Sequence, residues 1–209
     1  MARVLLINGS PNEKRCTYTA LSQVVRGLEE SGIETEIAWL GKEPVKPCIG
    51  CGACDESRRC AFGAHDGINA LIENASEADG LVVGSPVFYA GINGSLKSTL
   101  DRIFFAAGST FALKPGGAVV SARRAGTTTA LEQLNKYFII SQMLLVGSLY
   151  WPMVHGQAVE QVIQDEEGMQ VAYQLGANIA WTIKSLEAGR AAGIEPKQPT
   201  HRARTNFIR

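Results

Sequence analysis

Between Val4 and Leu186 the chain alternates short apolar runs with helical repeats, and that alternation leaves few architectures open. The runs Val4–Ile7, Ile33–Leu40, Leu81–Val83, Ala118–Val120 and Met143–Val146 read as strands. Between and after them apolar residues recur at helical spacing: Leu21, Val24, Val25, Leu28; Ile68, Leu71, Ile72, Ala75; Leu96, Leu100, Ile103, Phe104; Leu131, Leu134, Phe138; and Leu175, Ile179, Ile183, Leu186. Strands joined through helices must run parallel, because parallel neighbours need crossover connections. The expectation is an α/β protein with a five-stranded parallel sheet covered by helices on both faces. Sites in such sheets form at the carboxyl ends of the strands, so the loops after the first, third and fourth strands are the places to look.

The 209 residues fit one domain, expected over residues 1–188, with a basic tail at 189–209. Twenty basic residues balance twenty acidic ones, which argues against an overall basic nucleic-acid binder. The tail holds Arg190, Lys197, Arg202, Arg204 and Arg209 against Glu195 alone, and its Pro196 and Pro199 interrupt any helical pattern, so an extended arm is expected there. No run approaches the ~20 apolar residues that span a bilayer. The apolar run from Val4 is also shorter than a signal-peptide core. Four of the five cysteines crowd into thirteen residues, unlike a secreted disulfide framework. A soluble, cytoplasmic protein is expected.

After the first strand comes Gly9-Ser10-Pro11-Asn12-Glu13-Lys14-Arg15-Cys16-Thr17. A strand-to-helix loop aims backbone N–H groups and a helix dipole at one point, an arrangement suited to an anion. Ser10, Asn12, Cys16 and Thr17 add side-chain donors that suit a phosphate monoester. The same residues are equally consistent with an ordinary helix start capped by Thr17 or Ser10. The loop is neither a GxGxxG turn nor a GxxxxGK[ST] loop.

The third strand ends in Gly84-Ser85-Pro86-Val87-Phe88-Tyr89, followed by Gly91-Ile92-Asn93-Gly94-Ser95-Leu96-Lys97 and Asp101-Arg102. These segments resemble the Ser-Pro-Val-Tyr loop and Leu-Lys…Asp-Arg helix of the flavodoxin-like NADPH-dependent FMN reductases. Phe111-Ala112-Leu113-Lys114 and Asp165-Glu166-Glu167-Gly168 extend the likeness to about Leu186, and the cysteine segment narrows it to the iron–sulfur flavoprotein branch. The resemblance implies a flavodoxin-like three-layer sandwich with strand order 2-1-3-4-5. It implies FMN at the strand ends, with its phosphate on Ser10, Asn12, Cys16 and Thr17. The ring would rest on Pro86, Val87, Phe88 and Tyr89 and face Ser121, Arg123, Gly126 and Thr127. A homodimer or homotetramer is implied as well. Where relatives carry glycines in the fourth loop, this chain has Ser121-Ala122-Arg123-Arg124-Ala125-Gly126-Thr127. An arginine beside the flavin would favour the reduced anion, whereas one in solvent would not.

Cys48, Cys51, Cys54 and Cys60 follow the second strand, with Gly50, Gly52 and Ala53 among them. Three cysteines at this spacing let the chain curl round one cube, and a fourth completes a 4Fe–4S site. Structural zinc usually takes two separated knuckles, and a disulfide is disfavoured in a reducing compartment. Cysteines kept without any cluster are the remaining alternative. Relatives follow the last cysteine with an Asp-Asp-Met segment; here Ala61-Phe62-Gly63-Ala64-His65-Asp66 retains a single acid.

His65, at a helix start, is a candidate proton donor near the flavin or a solvated neighbour of the helix cap. His155 is a candidate to line a neighbouring subunit's flavin pocket or a structural loop residue, and Trp39, Trp151 and Trp181 are expected in the core or at subunit contacts. The reading is an FMN-dependent oxidoreductase that relays electrons through FMN and a 4Fe–4S cluster between a ferredoxin-type donor and a small acceptor. An NAD(P)H-dependent FMN or quinone reductase without a cluster is the alternative. A flavodoxin-like carrier or redox sensor comes next, although such carriers are strongly acidic. Neither nucleic acid nor membrane is an expected partner.

Overall fold

The computed structural model describes residues 1–197 with Thr200, Ala203 and Thr205. The tail residues Pro199, Arg202, Arg204 and Arg209 lie outside the described residues. The first strand, β1 (Arg3–Asn8), shows how the layers arise: Val4, Leu5, Leu6 and Ile7 are all fully buried. Alternate side chains point to opposite faces, so a strand buried throughout must be covered on both. Leu5 and Ile7 enter one core and Val4 and Leu6 the other.

Helix α1 (Cys16–Glu29) follows, then β2 (Glu34–Trp39), the short α2 (Cys54–Ser57), α3 (Ile68–Glu77) and β3 (Gly80–Phe88). A two-residue strand β4 (Gly91–Ile92) leads into α4 (Gly94–Ala107), a 3-10 turn, β5 (Pro115–Ala122) and α5 (Thr127–Ile140). The chain continues through β6 (Leu144–Leu145), β7 (Met153–His155), α6 (Val159–Gln164) and the long α7 (Glu166–Ala191).

The main sheet runs β2-β1-β3-β5-β6, all parallel. The expected order holds, but seven strands replace five. One addition is the antiparallel hairpin strand β4. The other comes from a split fifth strand: β6 pairs with the start of β5 and β7 with its end. Residues 147–152 leave the sheet between them, carrying the exposed Tyr150 and Trp151, whose rings meet edge to face. Trp151 and Trp181 are therefore solvent-facing rather than core residues, while Trp39 is half-buried.

Helices α3, α4 and α5 cover one face through Ile72, Leu100, Ile103, Leu134 and Phe138. Helices α1 and α7 cover the other through Leu21, Val24, Leu28, Leu175 and Ile179. The latter pair cross nearly backbone to backbone. A Cβ at Gly27 would lie 2.2 Å from the Tyr173 carbonyl oxygen, and one at Gly176 would lie 2.1 Å from that of Val24. Glycine is required at both positions for steric reasons alone.

Candidate functional site

The first loop is shaped from within. Asn8, fully buried at the end of β1, accepts from the Ser10 N–H at 3.1 Å and donates to the Glu13 carbonyl at 2.8 Å. Ser10 Oγ accepts from the Asn12 N–H (3.1 Å), and the Trp39 indole donates to the Ser10 carbonyl (2.8 Å). Asn8 was not singled out in the sequence, although an Asn before Gly-Ser-Pro is a known turn former. Neither Ser10 nor Thr17 caps α1. Arg15 holds the N-cap position, no side chain accepts from the first turn, and no acid sits there. The helix's leading N–H groups are thus left for water or an anion. Ser10 and Thr17 are buried, Asn12 is exposed, and Cys16 packs partly against the α1–α7 core.

Two contacts bring the first, third and fourth loops together. Thr17 Oγ1 lies 2.8 Å from Ser121 Oγ, joining α1 to the end of β5. Gly126, at φ +91°, lies so close to the hairpin that an added Cβ would sit 2.8 Å from Ala90 Cα and 3.1 Å from Val87 Cγ1. Ser85 Oγ donates to the Pro86 carbonyl and accepts from the Asn93 N–H, and Asn93 in turn caps α4. The β3–β4 turn consists of Tyr89 (φ 50°) and Ala90 (φ 59°). Both angles are left-handed, where Asn and Gly are the usual residues, and such strain concentrates at working sites. Pro86 and Val87 are half-buried, while Phe88 and Tyr89 are exposed. Ser121 and Thr127 are buried; Arg123 and Arg124 both face solvent and make no ion pair among the described residues. The Gly126→Val variant should push the hairpin away and lower the flavin bound on purification; full flavin content would show that this contact is dispensable.

Of the two candidate histidines, His65 is exposed. His155 ends β7, with Nδ1 3.7 Å from Asp165, which also caps α7.

The four cysteines line one pocket together with Pro47, Ile49, Phe62, Arg102 and Phe105. Gly50 (φ 64°) and Gly52 (φ 70°) curl the chain between the first three thiols. Burial pushes the Cys54 thiol up, and the nearby Asp55, Cys48 and Cys51 push it further against an opposing backbone hydrogen bond. Four soft sulfur donors lining one pocket, on a loop curled by two glycines, are the donor set an iron–sulfur cluster takes. The side chains stand apart nonetheless: no three metal-ligating groups among the described residues are close enough to grip one ion.

Cys60 is the most firmly held of the four. Asn69 of α3 accepts from its N–H (2.8 Å) and donates to its carbonyl (3.0 Å). Arg102 of α4, with a side chain only 1% exposed, donates Nε–H to Cys60 Sγ at 3.2 Å. The guanidinium also grips both carboxylate oxygens of Asp66 and reaches the Lys46 carbonyl. The lone acid after the last cysteine is therefore the one that pairs. The neighbouring Asp101 turns the other way, bonding Lys97 (2.7 Å) and the Tyr137 hydroxyl of α5. Tyr137 is pushed up to about 12 by burial and by the Asp101 hydrogen bond. Arg102 entered the sequence reading only within the Leu-Lys…Asp-Arg motif, because nothing in the sequence places α4 beside the cysteine loop.

Partial burial works against ionised Asp66, but the Arg102 hydrogen bonds, the backbone N–H groups around it and the guanidinium charge together outweigh it and hold the carboxyl below its ordinary value. A depressed carboxylate contributes stability that is present above the unfolded value near pH 4 and lost as pH falls through the lower folded value. Acid unfolding of the wild type should therefore steepen below about pH 4, and Asp66→Asn should flatten that limb. An unchanged acid limb would remove this ion pair from the account.

A parallel sheet with an uncapped helix start, an adjoining strained hairpin and a fourth loop against both defines a flavodoxin-like architecture. Residues 2–158 match the family model described as NADPH-dependent FMN reductase. An iron–sulfur flavoprotein of Methanocaldococcus jannaschii is 31% identical over 88% of this chain and 99% of its own length. The FMN-dependent NADPH-azoreductase of Staphylococcus saprophyticus is 31% identical over 68% of this chain and 70% of its own. An archaeal flavodoxin structure superposes with a TM-score of 0.59 at 15% identity, covering 87% of this chain and 99% of that one. The chain belongs to the NADPH-dependent FMN reductase family, in its iron–sulfur flavoprotein branch, and is an FMN-dependent oxidoreductase. No helix among the described residues is long and apolar enough to cross a membrane.

Proposed function

We propose that this protein relays electrons between FMN at the joined loops and a 4Fe–4S cluster on Cys48, Cys51, Cys54 and Cys60. A ferredoxin-type protein or NAD(P)H stands on one side and a small acceptor on the other. The observation that carries this reading is the single pocket lined by all four cysteines with the buried Arg102 cation against Cys60. When bound, FMN takes electrons in pairs or singly and a cluster passes them singly. The chain's own residues position these groups.

The α1 N-terminus, with Ser10, Asn12 and Thr17, holds the phosphate; Cys16 lies beside them. Ser10 Oγ already accepts from Asn12, so its own proton is free to donate. Thr17 shares its hydroxyl with Ser121, which ties phosphate binding to the fourth loop. Pro86, Val87, Phe88 and Tyr89 form the platform for the ring, held in place by Ser85 and by Gln133, which accepts from the Ile92 N–H. Gly126 and Thr127 close the far side, with Arg123 at the rim. A homodimer or homotetramer belongs to the same proposal.

The paired change Ser10→Ala with Thr17→Ala tests the phosphate site. Each hydrogen bond to a charged group contributes about 1.5–3 kcal/mol, so FMN should dissociate at least roughly a hundredfold more readily. Full flavin retention in the double variant would mean the loop has been assigned wrongly. The second reading, NAD(P)H-dependent reduction of FMN or a quinone without a cluster, is favoured by the separation of the thiols. Steady-state NAD(P)H oxidation with a quinone acceptor in iron-free protein would support it.

A further inference from the structure

We infer that Arg102 and Asp66 act as an opposed charge pair that sets the reduction potential of the cysteine-held cluster, with Arg102 raising it and Asp66 offsetting that rise. The inference rests on the cluster reading above and goes beyond it by naming the residues that tune the centre. Three observations carry it. The Arg102 side chain is 1% exposed, so its charge is poorly screened by water. Its Nε–H points at Cys60 Sγ from 3.2 Å, the contact that stabilises added negative charge on a cluster sulfur. Three of its other four N–H groups bond Asp66 and the Lys46 carbonyl, which holds the guanidinium in place.

Reduction brings one electron to the cluster; no bond forms or breaks and no proton moves. The centre becomes one unit more negative, which a fixed neighbouring cation favours. Asp66 lies on the far side of the guanidinium and is 29% exposed, so it cancels only part of that effect. Asn69 keeps the Cys60 backbone in place when either charge is removed. Arg102 is thus a positioning residue that acts through Cys60.

The test is the midpoint potential and iron content of anaerobically purified protein, followed by the rate of iron loss to a chelator. Arg102→Gln should shift the potential downward and Asp66→Asn upward. Arg102→Lys keeps the charge but loses the planar fork, so its potential should stay nearer the wild type. Outer-shell changes of this kind typically cost about ten- to a hundredfold in metal affinity, so Arg102→Gln and Arg102→Lys should both lose iron faster. Lys97→Ala removes an exposed charge from the same helix and should leave the potential unchanged. If Arg102→Gln fails to fold, the Asp66→Asn and Arg102→Lys pair still decides. Variants that hold full iron and share one potential, or shift it in the same direction, overturn the inference alone. A wild type without iron overturns the cluster reading and this inference together.

Discussion

Replacing Gly176 with alanine is expected to cost about 3 kcal/mol, the upper end for overpacking a tight contact. In a domain of this size that lowers Tm by roughly 6–12 °C. The reason is specific to this crossing. The new Cβ would lie 2.1 Å from the Val24 carbonyl oxygen and 2.9 Å from its carbon, and these are main-chain atoms that cannot rotate aside. Helix α1 must then move off α7. Its N-terminus carries Thr17, so flavin retention should fall along with stability. Gly189→Ala provides the control on the same helix: its nearest neighbour is Ile194 Cβ at 3.9 Å. Losing a helical glycine there should stabilise by up to about 1 kcal/mol. Equal melting temperatures for the two variants, read by thermal denaturation, would contradict the close crossing.

The second large effect is expected at Cys60. Cys60→Ala should reduce bound iron from about four atoms per chain to near zero while leaving the flavin in place. Cys60 is chosen because its backbone is gripped on both sides by Asn69 and its sulfur by Arg102. A substituted side chain there finds no alternative path to the pocket. Removing the thiol creates little void, and Asp66 still pairs with Arg102, so the fold should persist. Cys16→Ser supplies the contrast, since Cys16 packs against the α1–α7 core away from the other four. Iron and flavin assays on both variants separate a ligand from a bystander. Iron that survives Cys60→Ala unchanged would exclude this cysteine as a ligand.

Much of this architecture could be read from periodicity because both sheet faces are covered. Continuous apolar runs such as Val4–Ile7 can hardly be satisfied otherwise, and the helical repeats of α1, α4, α5 and α7 follow from residues that do face the core. The split fifth strand could not be read in this way. The run Met143–Val146 announces only its first half, β6; Met153-Val154 is too short to announce a strand and gains its partner from β5, which is distant in sequence. The Tyr89-Ala90 turn was also hidden, because its left-handed angles are imposed by the pairing of Val87 with Ile92 rather than by turn-forming residues.

At the site, the polar loop residues stood out by type and spacing, whereas their orientation did not. Whether Ser10 and Thr17 cap a helix or leave its first N–H groups free depends on backbone geometry at Arg15. The cysteine-facing role of Arg102 depends on tertiary packing. Lys97 and Asp101 form an ordinary pair one helical turn apart, while Arg102, next along, sits round the helix and points into the cysteine loop.

An electron relay of this kind requires iron and flavin in one chain together. Protein purified without oxygen should show flavin bands over a broad iron–sulfur shoulder. Assays on the same sample should give one FMN, about four iron and about four sulfide per chain. Flavin bands without iron or sulfide would contradict the relay and leave an NAD(P)H-linked flavin reductase whose cysteines serve another purpose.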